Sequence, residues 1–243
     1  MIPLLKLCEL FVSLLIIGSV AVLPLYSYNI RKLAASELCV KIVVWIPIFS
    51  LFVAVLYSPD IGRLLATIVL IGMGLREARR EISKSPRSVT VYYVMYSLAI
   101  LHIWLASLLL GRSESTQLLL MVVFASALSD VGAFFCGKYL GRHHLPAAFN
   151  SRKSWEGVAG QFLGALLGAV LLRQFVGVAL PIWIGLVVGL GSAVGDLSNS
   201  YVKRRLNIKD WGGAIPGHGG YLDRFSSLSI AVALSVYTYY FLA

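Results

Sequence analysis

The sequence predicts an all-α fold: a polytopic membrane helix bundle of about eight transmembrane helices, with its polar chemistry gathered at one membrane face. Three observations predict it. Of 243 residues, 58% are hydrophobic and only 13% are charged, and the mean hydropathy is +0.83, far from a soluble domain. The apolar residues fall into runs close to the roughly 17–25 residues that a bilayer-spanning helix needs. The cations collect between alternate runs rather than spreading evenly.

The runs lie near 7–28, 39–57, 61–75, 91–111, 117–137, 155–173, 178–197 and 226–243. The first follows a single lysine and carries no small-residue cleavage site, so it reads as a retained span rather than a leader. The run 61–75 is short. Tilt, an interfacial position, or extension through the amphipathic stretch after it would accommodate it. Placing alternate connections on opposite sides sorts the 21 Lys and Arg residues. Arg31, Lys32, Lys41, Arg76, Arg79, Arg80, Lys84, Arg87, Lys138, Arg142, Arg152, Lys153, Lys203, Arg204, Arg205, Lys209 and Arg224 fall on one side, which is 17 of the 21. Lys6, Arg63, Arg112 and Arg173 remain on the other. The positive-inside rule makes the crowded side cytoplasmic. This placement also accounts for the net charge of +10 without nucleic acid. In the stretch 76–87, orientation and attraction to anionic membrane lipids suffice. Cys8, Cys39 and Cys136 are isolated in apolar context and read as packing residues.

Two zones divide the chain. Residues 1–115 are spans with short loops. Residues 116–243 hold nearly all the unusual chemistry. Beyond Glu114 the acidic residues are Asp130, Glu156, Asp196, Asp210 and Asp223, and each lies in or beside a polar motif. Glycines recur at four-residue intervals at 160, 164 and 168, at 185 and 189, and at 191 and 195. That spacing puts small residues on one helix face, suited to close helix packing or to a homodimer face.

Two polar segments share the cytoplasmic side. One is "SDVGAFFCGKYLGRHHLPAAFNSRKSWEGVAG", residues 129–160; the other runs from "GDLSNS" through "YVKRRLNIKDWGGAIPGHGGYLDRFSS". A carboxylate inside an apolar span is costly, so Asp130 is either a functional group or a bond to a neighbouring helix, and its position alone leaves both open. Asp196 has a similar choice, with helix capping as the plain reading. Asp223, just before the last span, tips the balance. Carboxylates converging at two helix mouths amid many cations suit Mg²⁺, which takes one or two carboxylates plus phosphates and water. Lys203, Arg204, Lys209 and Arg224 suit phosphates. Gly212, Gly213, Gly217, Gly219 and Gly220 permit tight turns whose backbone N–H groups can cradle an anion. Ser151 reads as a cap, and Glu156 as a first-turn carboxylate favourable to the helix dipole, with Lys153 as a phosphate contact at the same helix start. His143 and His144 read as interfacial loop residues. His218, between glycines, reads as a phosphate contact.

At these residues the chain resembles the phosphatidate cytidylyltransferases, also called CDP-diacylglycerol synthases. The family signature places Ser, an aliphatic residue, Lys-Arg, Lys-Asp, a small-residue turn, Pro-x-His-Gly-Gly and Asp-Arg in order. Here these are Ser200, Val202, Lys203, Arg204, Lys209, Asp210, Gly212, Pro216, His218, Gly219, Gly220, Asp223 and Arg224. An upstream pattern is matched by Asp130, Gly132, Ala133, Phe134, Gly137, Lys138, Ser151, Lys153, Ser154, Glu156 and Gly157. The resemblance covers the C-terminal half, while the N-terminal half matches only as generic spans. One departure stands out: the signature ends in Asp where this chain has Ser226. The resemblance implies transfer of CMP from CTP to phosphatidic acid, giving CDP-diacylglycerol and pyrophosphate, on Mg²⁺ as one or two ions, with a monovalent cation as the alternative. It implies catalytic roles for Lys203, Arg204, Lys209, Asp210, His218 and Arg224. Substrate contacts fall to Ser151, Lys153, Glu156, Ser200, Gly219 and Gly220, and metal ligation to Asp130, Asp196 and Asp223. It does not divide the nucleotide's residues from the lipid's. The other readings to weigh are a CTP-dependent transferase acting on another lipid phosphate or alcohol, and an inactive lipid-binding relative. A transporter fits less well, because the charge clusters at one interface rather than at mid-membrane.

Overall fold

The computed structural model describes residues 3–26, 28–34, 36–149, 153–215 and 219–242. The chain begins with α1 (Leu4–Val22), a short 3₁₀ turn, and α2 (Ile30–Ala34). There follow α3 (Glu37–Tyr57), α4 (Asp60–Glu81), α5 (Pro86–Ile100), α6 (His102–Leu110) and α7 (Arg112–Tyr139). The last third holds α8 (Trp155–Leu171) with a π-helical end, α9 (Ile184–Arg205) and α10 (Tyr221–Leu242). Every expected span has a helical counterpart. Among the described residues, five helical runs are long and apolar enough to cross a bilayer: 4–22, 86–110, 112–139, 155–176 and 221–242. The apolar part of α3, Ile42–Tyr57, is shorter. The runs expected near 61–75 and 178–197 form α4 and α9, which both end in charged turns, with Arg79 and Arg80 in one and Lys203, Arg204 and Arg205 in the other.

Local chemistry sets several boundaries. Ser36 accepts from the Cys39 N–H at 3.3 Å and starts α3. Pro86 occupies the first turn of α5, where its missing N–H costs nothing. Gly111 and Gly177 take positive φ at helix ends, a conformation glycine adopts without penalty. Ser154 accepts from the Gly157 N–H at 3.1 Å and caps α8.

The glycine ladders are consumed inside the chain. All seven ladder glycines are buried. A Cβ on Gly168 would lie 2.8 Å from Ala125 Cα on α7, and one on Gly164 would run into the Leu128 carbonyl. Gly185 and Gly189 press on α8 at Leu166 and Phe162, and Gly191 presses on α10 at Ala231. These faces bring α7, α8, α9 and α10 together within one chain. The core continues through Tyr92, Tyr96, Leu118, Met121, Leu172, Ile184, Leu222 and Val232.

Arg63 is wholly buried rather than a loop charge. It donates to Ser107 at 2.6 Å, to Ser115 at 2.8 Å, to Thr116 at 2.5 Å and to the Leu56 carbonyl at 3.1 Å. It thereby ties α3, α4, α6 and α7 together.

Gly164→Val should lower the thermal unfolding midpoint of the protein in detergent, with an overpacking cost of about 1–3 kcal/mol. Gly72 has nothing within 4 Å of its Cβ position, so Gly72→Ala should hold or raise the midpoint.

Candidate active site

The polar segments meet at one end of α8, α9 and α10. The connection from α7 to α8 folds back on itself. Leu145 N–H donates to the Lys153 carbonyl, and Trp155 N–H to the His143 carbonyl, each at 2.9 Å. Glu156 accepts from His143 twice, from its N–H at 3.2 Å and from Nδ1 at 2.6 Å. This pinned loop delivers Lys153. Its ammonium pairs with Asp196 on α9 and donates to Ser200 one turn further at 3.0 Å. Gln161 of α8 reaches the same Asp196 oxygen at 3.5 Å.

The second centre is Asp223, on the first turn of α10, with a side chain only 1% exposed. Lys203 Nζ donates to Oδ1 at 2.5 Å. Trp211 N–H and Gly220 N–H both donate to Oδ2, at 2.8 and 3.0 Å. The reach back from Asp223 to the N–H just before the helix is a capping-box arrangement. Trp211 then continues the network: its indole N–H donates to Asn199 at 2.7 Å, and the Asn199 amide donates to Ser226 at 3.3 Å. Gly219 has φ of +82°, and a Cβ there would lie 2.9 Å from the Asp223 carboxylate. Glycine is required there on both counts.

Two adjoining cavities lie over these centres. One, of about 530 Å³, is lined by Ser200, Lys203, Arg204, Lys209, Asp210 and their neighbours. The other, of about 360 Å³, is lined by Asp130, Phe134, Gly137, Val158, Leu197 and Ser226, among others. Lys153, Asp196, Asp223 and Arg224 line both. The structure thus gathers Lys153, Ser200, Lys203, Arg204, Lys209, Asp210, Arg224, Asp130, Asp196 and Asp223 around one junction. Glu156 stands outside both cavities and braces the loop. Gly219 and Gly220 shape the turn around Asp223. Ser151 and His218 lie outside the described residues.

Among the described residues, the side chains at the junction that could ligate a metal are the carboxylates of Asp196 and Asp223, a donor type that suits a hard cation such as Mg²⁺. Among the described residues, no three His, Cys, Asp or Glu side chains gather closely enough to enclose an ion by themselves. An ion at this junction would have to draw part of its coordination from phosphate oxygens or water.

Sequence reasoning passed over three groups. Asn199 and Trp211 sit inside quoted motifs without an assigned role. Glu77, inside the basic stretch of α4, is buried and accepts from the Tyr221 and Leu222 N–H groups, each at 2.9 Å. A signal was present: Glu77 continues the stripe of Arg63, Thr67, Gly74 and Ala78, the buried residues of α4.

The fold places this chain among the polytopic helical membrane proteins, with a site of paired cations and carboxylates at one end of the bundle. The chain belongs to the Cytidylyltransferase family, which it matches from residue 2 to residue 242. It is 34% identical over 127 residues, 51% of its length, to a phosphatidate cytidylyltransferase of Staphylococcus epidermidis. It is 37% identical over 133 residues, 53% of its length, to that of Brucella suis, and 38% identical over 111 residues, 44% of its length, to that of Mycobacterium bovis. The matched stretches are 49%, 49% and 36% of those relatives, so the chain spans about half their length or less.

Removing the Asp223 charge leaves Lys203 unpaired in a largely dry setting. Asp223→Asn should destabilise the protein by about 3–5 kcal/mol, and adding Lys203→Met should recover part of that loss. A double-mutant cycle on detergent-solubilised protein measures the coupling.

Proposed function

We propose that this protein transfers the cytidylyl group of CTP to the phosphate of phosphatidic acid, releasing pyrophosphate and leaving CDP-diacylglycerol in the membrane, as a step of phospholipid biosynthesis. The observation that carries this reading is the pair of cavities sharing Lys153, Asp196, Asp223 and Arg224. A reaction between a soluble triphosphate and a membrane phosphate needs two approaches to one centre. The first cavity, polar and flanked by the exposed Lys209 and Asp210, suits the nucleotide. The second is walled by Phe134, Val158 and Leu197 and suits a lipid headgroup; Phe134 is 41% exposed on the outside of the bundle. The family membership and the names of the relatives support the same chemistry.

In the proposed step a phosphate oxygen of the lipid attacks the α-phosphorus of CTP. The bond from that phosphorus to the bridging oxygen breaks, and the electron pair leaves with pyrophosphate. Lys153 and Arg224, at the junction, offset the charge of both phosphates as they approach. Lys203, Arg204 and Lys209 hold the departing phosphates. Ser151 and His218 are retained as phosphate contacts on the sequence alone. Mg²⁺, when bound, would be held by Asp196 and Asp223 with Asp130 nearby, and would supply Lewis-acid charge to the transferring group. The bias of the cations supports a cytoplasmic orientation for this end of the bundle.

One observation favours a second reading. Ser226 lines the lipid-side cavity where the family signature has Asp, so the acceptor could be another lipid phosphate, or the site could have lost activity. Ser226 already accepts from Asn199 and donates to the Asp223 carbonyl at 3.3 Å, so an aspartate there would keep the first of these partners.

Purified protein supplied with labelled CTP, Mg²⁺ and phosphatidic acid should form CDP-diacylglycerol, and Asp223→Asn should cut the rate on the order of 10²–10³-fold. Native protein that releases no pyrophosphate, beside a Ser226→Asp variant that does, would identify a disabled relative. Silence in both with phosphatidic acid, and turnover with another lipid phosphate, would move the acceptor.

A further inference from the structure

We propose that Glu77, in the half of the chain that carries none of the family signature, is a positioning residue for the catalytic carboxylate Asp223. The proposal rests on the functional reading above for what Asp223 does, and on geometry alone for how Glu77 holds it.

The first N–H groups of a helix have no partner within the helix and must find one when buried. Glu77 provides two at α10. Its Oε1 accepts from Tyr221 N–H and its Oε2 from Leu222 N–H, across 144 and 145 residues of sequence. Asp223 Oδ2 accepts from the next N–H back, that of Gly220. The two carboxylates thus divide the opening turn of α10 between them. Asp223 is fixed because the backbone carrying it is fixed, and that backbone is held from α4.

The fit is close on both sides. A Cβ on Gly220 would stand 2.5 Å from each Glu77 oxygen, and one on Gly212 would stand 3.1 Å from Oε1. Two glycines of the signature loop are therefore spaces that admit the Glu77 carboxylate. Gly74, one turn before Glu77, makes room in the same way: a Cβ there would meet Tyr96 at 2.8 Å and Leu222 at 3.1 Å. A buried carboxylate with no lysine or arginine bonded to it is expensive unless hydrogen bonds replace the water it lost. Glu77 is 4% exposed, and among the described residues it accepts from these two N–H groups at the positive end of a helix. Its negative charge is spent on α10.

The consequence is separable from substrate binding. Ser200, Arg204 and Lys209 lie on or after α9, whereas Glu77 bonds the opening turn of α10. Glu77→Gln keeps the size but offers one carbonyl oxygen where there were two acceptors. Turnover with CTP and phosphatidic acid should fall about 100-fold, the scale of a small misplacement of a reacting group, while the KM for CTP stays near its native value. Amide hydrogen exchange on the full-length protein in detergent supplies a second readout that needs no activity. The Tyr221 and Leu222 amides should exchange faster in Glu77→Gln, and the amides of α7 and α8 should not change. Unchanged exchange at Tyr221 and Leu222 overturns the proposal. Faster exchange throughout the protein also overturns it, because Glu77 would then serve only general stability. A fall in kcat/KM carried by KM alone overturns it as well. Native protein without CTP turnover would sink the proposed function and leave the exchange comparison to decide Glu77.

Discussion

A carboxylate almost wholly removed from water must be matched by donors, and Asp223 sets that condition for one end of this bundle. Its two oxygens take an ammonium from α9 and backbone N–H groups from the loop before α10. Each donor costs the chain a constraint. Lys203 must sit on the face of α9 that looks at α10. The loop must turn back far enough to aim Trp211 N–H inward. Gly219 must stay without a side chain. Trp211 then passes the constraint on, through Asn199 to Ser226 and through a stack on Tyr92 of α5, with ring centroids 5.5 Å apart and planes 6° apart.

The glycine ladders make these contacts reachable. Short polar side chains such as Asp, Asn and Ser bridge helices only when the backbones are close. Gly191 brings α9 against α10 at Ala231, and Gly195 does so at Ser226 and Ser227, next to the turn that carries Asp223. Gly132 and Gly160 do the same between α7 and α8, near Asp130 and Lys153. In a membrane, where apolar burial between helices gains little, close van der Waals packing of this kind is the available source of cohesion. The same residues therefore hold the bundle together and set the width of the site.

The helical fold and the membrane setting were legible because both follow from composition and run length. Most of the lining of the candidate site was legible too, since Lys153, Asp196, Lys203 and Asp223 stand in motifs where charge beside apolar spans demands an explanation. What was not legible depends on distance across the fold. Glu77 is flanked by Arg76, Arg79 and Arg80 and looks like part of a solvated basic helix; only its meeting with residues 221 and 222 reveals its task. Arg63 looks like an outer-loop charge, and only the convergence of Ser107, Ser115 and Thr116 explains how it is buried. Glu156, for which the resemblance implies a substrate contact, accepts from His143 because that loop folds back.

The junction of the two cavities is balanced as it stands. Lys153 is paired with Asp196 and Lys203 with Asp223, leaving Arg224 exposed opposite Asp130 in the lipid-side cavity. A phosphate arriving there brings negative charge into a region whose lysines are already engaged. It can recruit a lysine only by loosening that lysine from its aspartate, which would expose a carboxylate needing a new counter-charge. On the proposed reading, a substrate phosphate would compete with Asp196 for Lys153, and the carboxylate so released would be among those that would hold Mg²⁺. The Lys203–Asp223 pair is drier than the Lys153–Asp196 pair, with side chains 12% and 1% exposed against 28% and 32%. Coulomb attraction is stronger where water is excluded. On that reading the Lys153 pair would yield first, and Asp223, held also by the Trp211 and Gly220 N–H groups, would stay in place.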